Sequence, residues 1–318
     1  MSFTERRLDR PVAVWKSQDL LGGKAVSSLT VILRTVGCSW KRCTMCGYAS
    51  EGAPATAQDL LVQFDDALGR LSLEDEVVKI YTSGSFLDPE EVPLEARDGI
   101  LGILQERGIK KLVIESRPEY ITPERVSDCL SRISTEFAIG LETASDLIRQ
   151  YTIRKGFSFQ DFAAASETVH QEGGLVKAYL LLKPPFLSEG AAIRDALSSA
   201  REAARHSDML SLNLCNIQRG TPLERMWERG EYRPPWLWSA VEVLKGVCAP
   251  IICDPVGAGT RRGPHNCGGE CDAAIAEAIR KHSLTQDIGV FQGLDCDCKL
   301  IWQKVVELEE KAFGAPLL

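Results

Sequence analysis

The sequence predicts an α/β chain built on a parallel sheet of six strand–helix units, followed by a small cysteine-rich appendage. Three observations carry that reading. Short apolar runs alternate strictly with segments whose apolar residues recur at helical spacing. Polar residues and cysteines collect just after those runs. The composition changes near Cys253, too early for an eight-unit barrel. Alternation of this kind implies right-handed crossovers between parallel strands.

In order, residues 1 to about 30 read as an extension with short elements, closed by Gly22-Gly23. Val31-Ile32-Leu33 reads as a buried strand, and Cys38, Cys43 and Cys46 fall on the loop that leaves it. Leu60, Leu61, Phe64, Leu68 and Leu71 recur as a helix would place them. The second strand, Val77 to Tyr81, ends in Ser83-Gly84-Ser85. A helix around 95–107 turns Ile100, Ile103 and Leu104 inward. The third strand, Leu112-Val113-Ile114, ends in Glu115-Ser116-Arg117-Pro118. Thr122 and Pro123 start a helix as N-cap and first residue, and its apolar face puts Cys129 in the core. Phe137 to Leu141 is the fourth strand and carries Glu142-Thr143. Ser158 caps a helix stopped by Gly173-Gly174. Val176 to Leu182 is halted by Pro184-Pro185; a helix over 189–206 and a sixth strand, Met209 to Leu214, follow. The expected organisation is an extension over 1–30, the barrel-like body over 31–250, and the appendage over 251–318.

With 318 residues, 44% of them hydrophobic, the chain can bury a large core. No stretch approaches the ~18 apolar residues of a membrane span, and the start lacks an apolar signal core, so a soluble cytoplasmic protein is expected. In that compartment clustered cysteines point to metal or catalysis before disulfides. A net charge of −7 and a pI near 5.3 do not announce a nucleic-acid binder. Local basic groups, Arg6-Arg7-Arg10 and Arg261-Arg262, can still hold phosphate.

The chemistry starts with the three cysteines after the first strand. Lys41 and Arg42 make their loop electropositive, which favours thiolate, and Gly47 should keep it mobile. Three thiolates can hold three corners of a [4Fe–4S] cubane and leave the fourth iron to a non-protein ligand, whereas structural zinc takes four closed ligands. The same C-x4-C-x2-C spacing opens a plant-type [2Fe–2S] loop, but no fourth cysteine lies nearby, so an electron-transfer protein is the weaker alternative. Ser83-Gly84-Ser85 is a small-residue turn whose carbonyls and hydroxyls could take an ammonium group. Near the end, Cys267, Cys271, Cys296 and Cys298 suit a closed tetrahedral Zn2+ site stapling a tail too short to bury its own core. His265 or Cys253 could replace one ligand, and a second iron–sulfur cluster is the main competitor. His170, His206 and His282 sit in helical patterns and read as structural or exposed.

A strand followed by a three-cysteine loop resembles the cluster loop of radical S-adenosylmethionine (SAM) enzymes. The spacing differs, with four residues between the first two cysteines where the usual pattern has three, and with Met45 before the last. The resemblance implies a partial (β/α)6 barrel and a [4Fe–4S] cluster on Cys38, Cys43 and Cys46. It also places the SAM amino group at Ser83, Gly84 and Ser85. Glu115-Ser116-Arg117-Pro118-Glu119 and Gly140-Leu141-Glu142-Thr143 resemble motifs of the superfamily branch with the elongator catalytic subunit and the methylthiotransferases. In that branch Glu142 would meet the SAM ribose and Arg154 or Lys155 its carboxylate, with Glu115 on the same rim. One electron would break the sulfonium–ribose bond, and the 5′-deoxyadenosyl radical would take hydrogen from a substrate; the cofactor supplies that chemistry and the protein the positioning.

The early TVGC-x4-C-x-MCGYAS and the late RGPHNCGGEC, SLTQD and LDCDCKLIW together are similar to the archaeosine-biosynthesis radical SAM family. That resemblance implies a tRNA substrate and conversion of a lysine-bearing 7-deazaguanine nucleoside to archaeosine by carbon–nitrogen cleavage. It further implies work beside the separate lysine-attaching enzyme, and an electron donor. A radical SAM enzyme acting on a free metabolite is the alternative that the acidic pI favours.

Overall fold

The computed structural model describes residues 7–70, 72 and 75–311. Arg6 and Leu71, named above, lie outside them. By internal contacts the chain resolves into two compact units, residues 1–41, 48–140 and 160–177 in the first, and residues 42–47, 141–159 and 178–318 in the second. The strands β1 to β8 follow chain order in one sheet, the strand–helix alternation of a partial (β/α)6 barrel.

The first unit opens with a hairpin that replaces the expected short elements. Strands β1 (Ala13–Leu21) and β2 (Lys24–Ile32) pair antiparallel from Ala13–Ile32 to Leu21–Lys24. Gly22 and Gly23 join them with φ of 56° and 77°, the two left-handed residues a tight hairpin turn needs. Helix α1 (Ala57–Leu68) begins with a capping box between Thr56 and Asp59 and buries Leu60, Phe64 and Leu68. Then follow β3 (Asp75–Tyr81), α2 (Leu94–Glu106), β4 (Lys111–Ser116), α3 (Pro123–Leu130), β5 (Thr135–Glu142) and α4 (Phe159–Gln171). Neighbouring strands from β2 to β5 are parallel. As expected, Thr122 caps α3, and Cys129 is core, its thiol pushed up to about 12 by burial.

Charged residues are sealed into this unit. Glu136 of β5 binds Lys111 of β4 at 2.6 Å and Lys177 at 2.6 Å, all three buried. Asp19 pairs with Lys79 at 3.1 Å, and the Lys111 ammonium also donates to the Leu20 carbonyl of the hairpin. Burial alone would push the Glu136 carboxyl up, but Lys177 and Lys111 outweigh it and hold it below the usual carboxylate range.

Strand β6 (Leu175–Leu182) leads into the second unit, which continues with α5 (Glu189–Ala203), β7 (Met209–Leu214), α6 (Pro222–Glu228), α7 (Leu237–Gly246) and a short β8 (Ile251–Ile252) parallel to β7. Helices α8 (Glu270–Thr285) and α9 (Cys298–Leu308) complete it. The tail is no loose appendage. Trp302 of α9 donates its indole N–H to Ser239 of α7 at 2.8 Å, and Ile275, Ile279, Phe291 and Val305 are buried. Among the described residues no helix is long and apolar enough to cross a membrane.

Candidate active site

In the first unit the carboxyl ends of β2, β3 and β4 build one polar knot. The centre is Glu91, 1% exposed. Its Oε1 accepts the Thr35 hydroxyl at 2.7 Å and its Oε2 the Ser85 amide at 2.6 Å. Thr35 in turn accepts the amide of Gly37, next to Cys38, at 3.1 Å, and the Ser85 hydroxyl accepts the Arg117 amide at 3.0 Å. A Cβ at Gly84 would lie 2.7 Å from the Cys38 Cα and closer still to the Glu91 carboxylate. The turn therefore has room for glycine alone, and Cys38 rests directly on it. Burial pushes the Glu91 carboxyl up, and among the described residues no lysine or arginine pairs with it. Trp40, on the cysteine loop, stacks under Arg117 at 5.3 Å.

The second unit holds Cys43 and Cys46, and here the expected mobility at Gly47 gives way to a clamp. The Gly47 amide donates to Gln218 Oε1 at 2.5 Å. Thr44 gives its amide to the Ile153 carbonyl and takes the Leu223 amide on its own carbonyl, at 2.9 and 3.1 Å. Cysteine is flanked by fixed backbone on both sides. Ile153 ends a π-helix, Ile148–Ile153, whose Arg149 is wholly buried and donates to the carbonyls of Thr143 and Phe157. Glu142 and Arg154 both have left-handed backbone, φ 67° and 62°, a strained conformation for such residues. Lys155 binds Glu142 at 2.6 Å.

The tail brings its four cysteines together. The Sγ atoms of Cys267, Cys271, Cys296 and Cys298 all lie within 4.8 Å of one another, Cys267 to Cys271 at 3.3 Å and Cys271 to Cys298 at 3.7 Å. Asp272 shapes the loop by accepting the amides of Asn266 and Gly268 at 2.8 and 2.9 Å, and the Trp238 indole N–H points at Cys298 Sγ, 3.3 Å away. The Cys298 amide draws the Cys296 thiol down, while burial pushes Cys298 up. This set can hold a metal centre. Neither proposed substitute belongs to it: Cys253 is buried with its amide on Ser283, and His265 turns Nδ1 to the Gly263 carbonyl at 2.8 Å.

No profile of a known protein family matches the chain. Individual relatives do. Archaeosine synthase subunit beta of Methanosarcina acetivorans is 46% identical over 325 aligned positions, covering 98% of this chain and 94% of that protein. This chain belongs to the archaeosine synthase beta-subunit family. The same subunit of Thermococcus kodakarensis is 43% identical, covering 92% of this chain and 96% of its own. Among solved structures, Elp3 of Methanocaldococcus infernus superposes with a TM-score of 0.53 at 19% identity, covering 76% of this chain and 60% of that one. Queuine lyase of Clostridium spiroforme gives 0.50 at 21%, covering 65% and 82%. These likenesses carry the fold.

Of the residues singled out in the sequence, Ser83, Gly84 and Ser85 form the turn that Cys38 rests on, and Glu115 gives its carbonyl to the Phe86 amide at 2.8 Å. Glu142 and Lys155 are brought into one ion pair, and Arg154 is exposed beside them. Arg262 is already engaged, bound to Glu224 at 2.5 Å with Trp227 beneath it, whereas Arg261 is exposed. Glu91 and Gln218 escape a reading of the sequence. Each reaches its place through local turns that carry no periodic signal.

Proposed function

We propose that this protein is the radical SAM subunit of an archaeosine synthase, a cytoplasmic enzyme acting on tRNA. In this reading it converts a lysine-bearing 7-deazaguanine nucleoside to archaeosine by breaking a carbon–nitrogen bond in the lysine moiety. The observation that carries the reading is the 46% identity to an archaeosine synthase beta subunit along nearly the whole chain. The lysine-attaching enzyme would be its partner and a separate reductant its electron donor.

Cys38, Cys43 and Cys46 would hold the [4Fe–4S] cluster, and half-burial of each leaves the thiols reachable on a backbone that is fixed around them. When bound, cluster and SAM supply reductive cleavage of the sulfonium–ribose bond. The protein's own residues position and screen. The Ser83–Ser85 turn presents carbonyls to the SAM ammonium, with the Glu91 carboxylate buried behind it. The Glu142–Lys155 pair would share the ribose and carboxylate between them, and Arg154 and Glu115 would line the same rim.

For the tail we propose a single Zn2+. Zinc–sulfur bonds of about 2.3 Å set tetrahedral thiolates roughly 3.8 Å apart. The spacings of 3.3 and 3.7 Å support one ion; a cubane, with each thiolate on a different iron, needs them wider.

The test is anaerobic reduction of the reconstituted protein with SAM and tRNA bearing the lysine adduct, followed by mass spectrometry of the nucleosides. Archaeosine and 5′-deoxyadenosine should appear together. Release of 5′-deoxyadenosine with no change in any tRNA nucleoside would move the substrate to a free metabolite.

A further inference from the structure

Strand β6 ends in a segment that breaks a rule of turn chemistry. Pro184, Pro185, Phe186 and Leu187 form a tight turn closed by the Leu187 amide on the Pro184 carbonyl at 3.4 Å. Proline at the second position fixes φ near −65°, and Phe186, at the third, has φ 68°. That is the pattern of a type II turn, whose third residue is ordinarily glycine or asparagine because the left-handed region crowds a Cβ. A bulky aromatic there is strained. Packing does not offset the strain, because Phe186 is 71% exposed, the most exposed of the large hydrophobics in the described residues.

The turn is held rigid on both sides. Lys183, itself left-handed at φ 62°, is buried and bound to Glu189 at 2.7 Å, and its carbonyl accepts the buried Tyr232 hydroxyl at 2.7 Å. Beyond it, Ser188 caps α5 by accepting the Ala191 amide. The ring is thus displayed on a fixed mount at the carboxyl end of a barrel strand, the side on which such folds gather their chemistry.

We propose that Phe186 is a stacking platform for a nucleobase of the tRNA substrate, a positioning residue that holds the substrate at the barrel mouth. The proposal rests on the tRNA reading above. A planar base covers an exposed ring without needing a matched hydrogen-bond pattern, and single-stranded or splayed bases are the usual partners of such rings. Because the mount is rigid, little ordering opposes binding.

The experiment measures equilibrium binding of bulk tRNA to the reconstituted protein over a series of salt concentrations, for the native sequence, Phe186→Gly and Phe186→Trp. Base–aromatic stacking predicts about a tenfold weaker affinity for Phe186→Gly. The slope of log affinity against log salt should not change, since no phosphate contact is lost. SAM affinity should also hold. Phe186→Trp should bind as the native protein does, and its added fluorescence should be quenched by tRNA. Phe186→Gly should melt at or above the native temperature, because glycine relieves the left-handed strain. Unchanged tRNA affinity in Phe186→Gly overturns the proposal. So does equal loss in Phe186→Gly and Phe186→Trp, or loss accompanied by a lower melting temperature, each of which makes the ring a packing element. Failure of the native protein itself to bind tRNA sinks the tRNA reading, and the platform with it.

Discussion

Stripping the tail metal should have an effect that travels from the four cysteines towards the cysteine loop. A structural zinc contributes about 10–16 kcal/mol of apparent binding free energy, as much as the whole stability of an ordinary domain, about 5–15 kcal/mol. In the proposed zinc site that free energy would fix the loop that carries Cys267 and Cys271 and, through it, the segment before it. The segment is tied to the end of β7 by the Ile217 amide on the Arg262 carbonyl at 2.7 Å and by the Arg262–Glu224 pair. The next residue, Gln218, holds the Gly47 amide. Removing the metal, by a strong chelator or by Cys271→Ser, should therefore free the amides of 254–311 first. Ile217 and Gly47 should follow, while the paired strands of the first unit keep their protection. The assay is hydrogen exchange read by mass spectrometry, run beside zinc and iron analysis of the same sample. About one zinc per chain and this order of deprotection are expected. Tail exchange unchanged after stripping, or extra iron in place of zinc, would refute the reasoning.

Cys43→Ala should abolish formation of 5′-deoxyadenosine and lower bound iron; normal product from that variant would remove the cluster from this loop. Glu91→Gln keeps an acceptor for the Ser85 amide and should leave the fold intact while weakening SAM binding about tenfold, whereas Glu91→Ala leaves buried donors unpaired and should cost about 1–3 kcal/mol for each in thermal or denaturant unfolding. Arg261→Ala should reduce the salt slope of tRNA binding by about one and spare SAM cleavage without substrate; an unchanged slope would move the phosphate contact elsewhere. Glu136 gives a pH prediction. Its carboxyl lies lower in the folded chain than in the unfolded one, so its stabilisation is present above the ordinary glutamate range and is lost as pH falls through the folded value. Denaturant titrations should show a steep acid limb, flattened in Glu136→Gln.

The strands β3 to β7 were legible in the sequence because each carries an apolar run buried by its neighbours, and the cysteines and Glu142 then fell at strand ends by counting alone; of β2, Lys24–Ile32, only Val31 and Ile32 were read, because Ser27, Ser28 and Thr30 interrupt its apolar pattern. The hairpin partner β1 was not. AVWKSQDLL mixes charge into both faces, because one of those charges, Asp19, serves Lys79 inside the unit rather than solvent. Glu91 hides for a different reason. It returns to the turn at Ser85 through successive tight turns, Asp88 amide to Ser85 carbonyl and Glu91 amide to Asp88 carbonyl, which leave no pattern in one dimension. At Phe186 the sequence offers a clear stop signal in Pro184-Pro185 but says nothing of the left-handed residue after it. Such rule-breaking sites are where local reasoning stops and function begins.

The sealed charges of the first unit also specify how its strands align. Lys111 and Glu136 meet only if β4 and β5 align as Leu112 with Thr135 and Val113 with Glu136. A slip of one residue turns Lys111 to the face away from Glu136 and parts the two charges. Apolar side chains on neighbouring strands would tolerate such slips far better, since one aliphatic contact resembles another. The ion cluster thus favours one register of β4 against β5 over its neighbours, a specificity that aliphatic contacts alone do not supply.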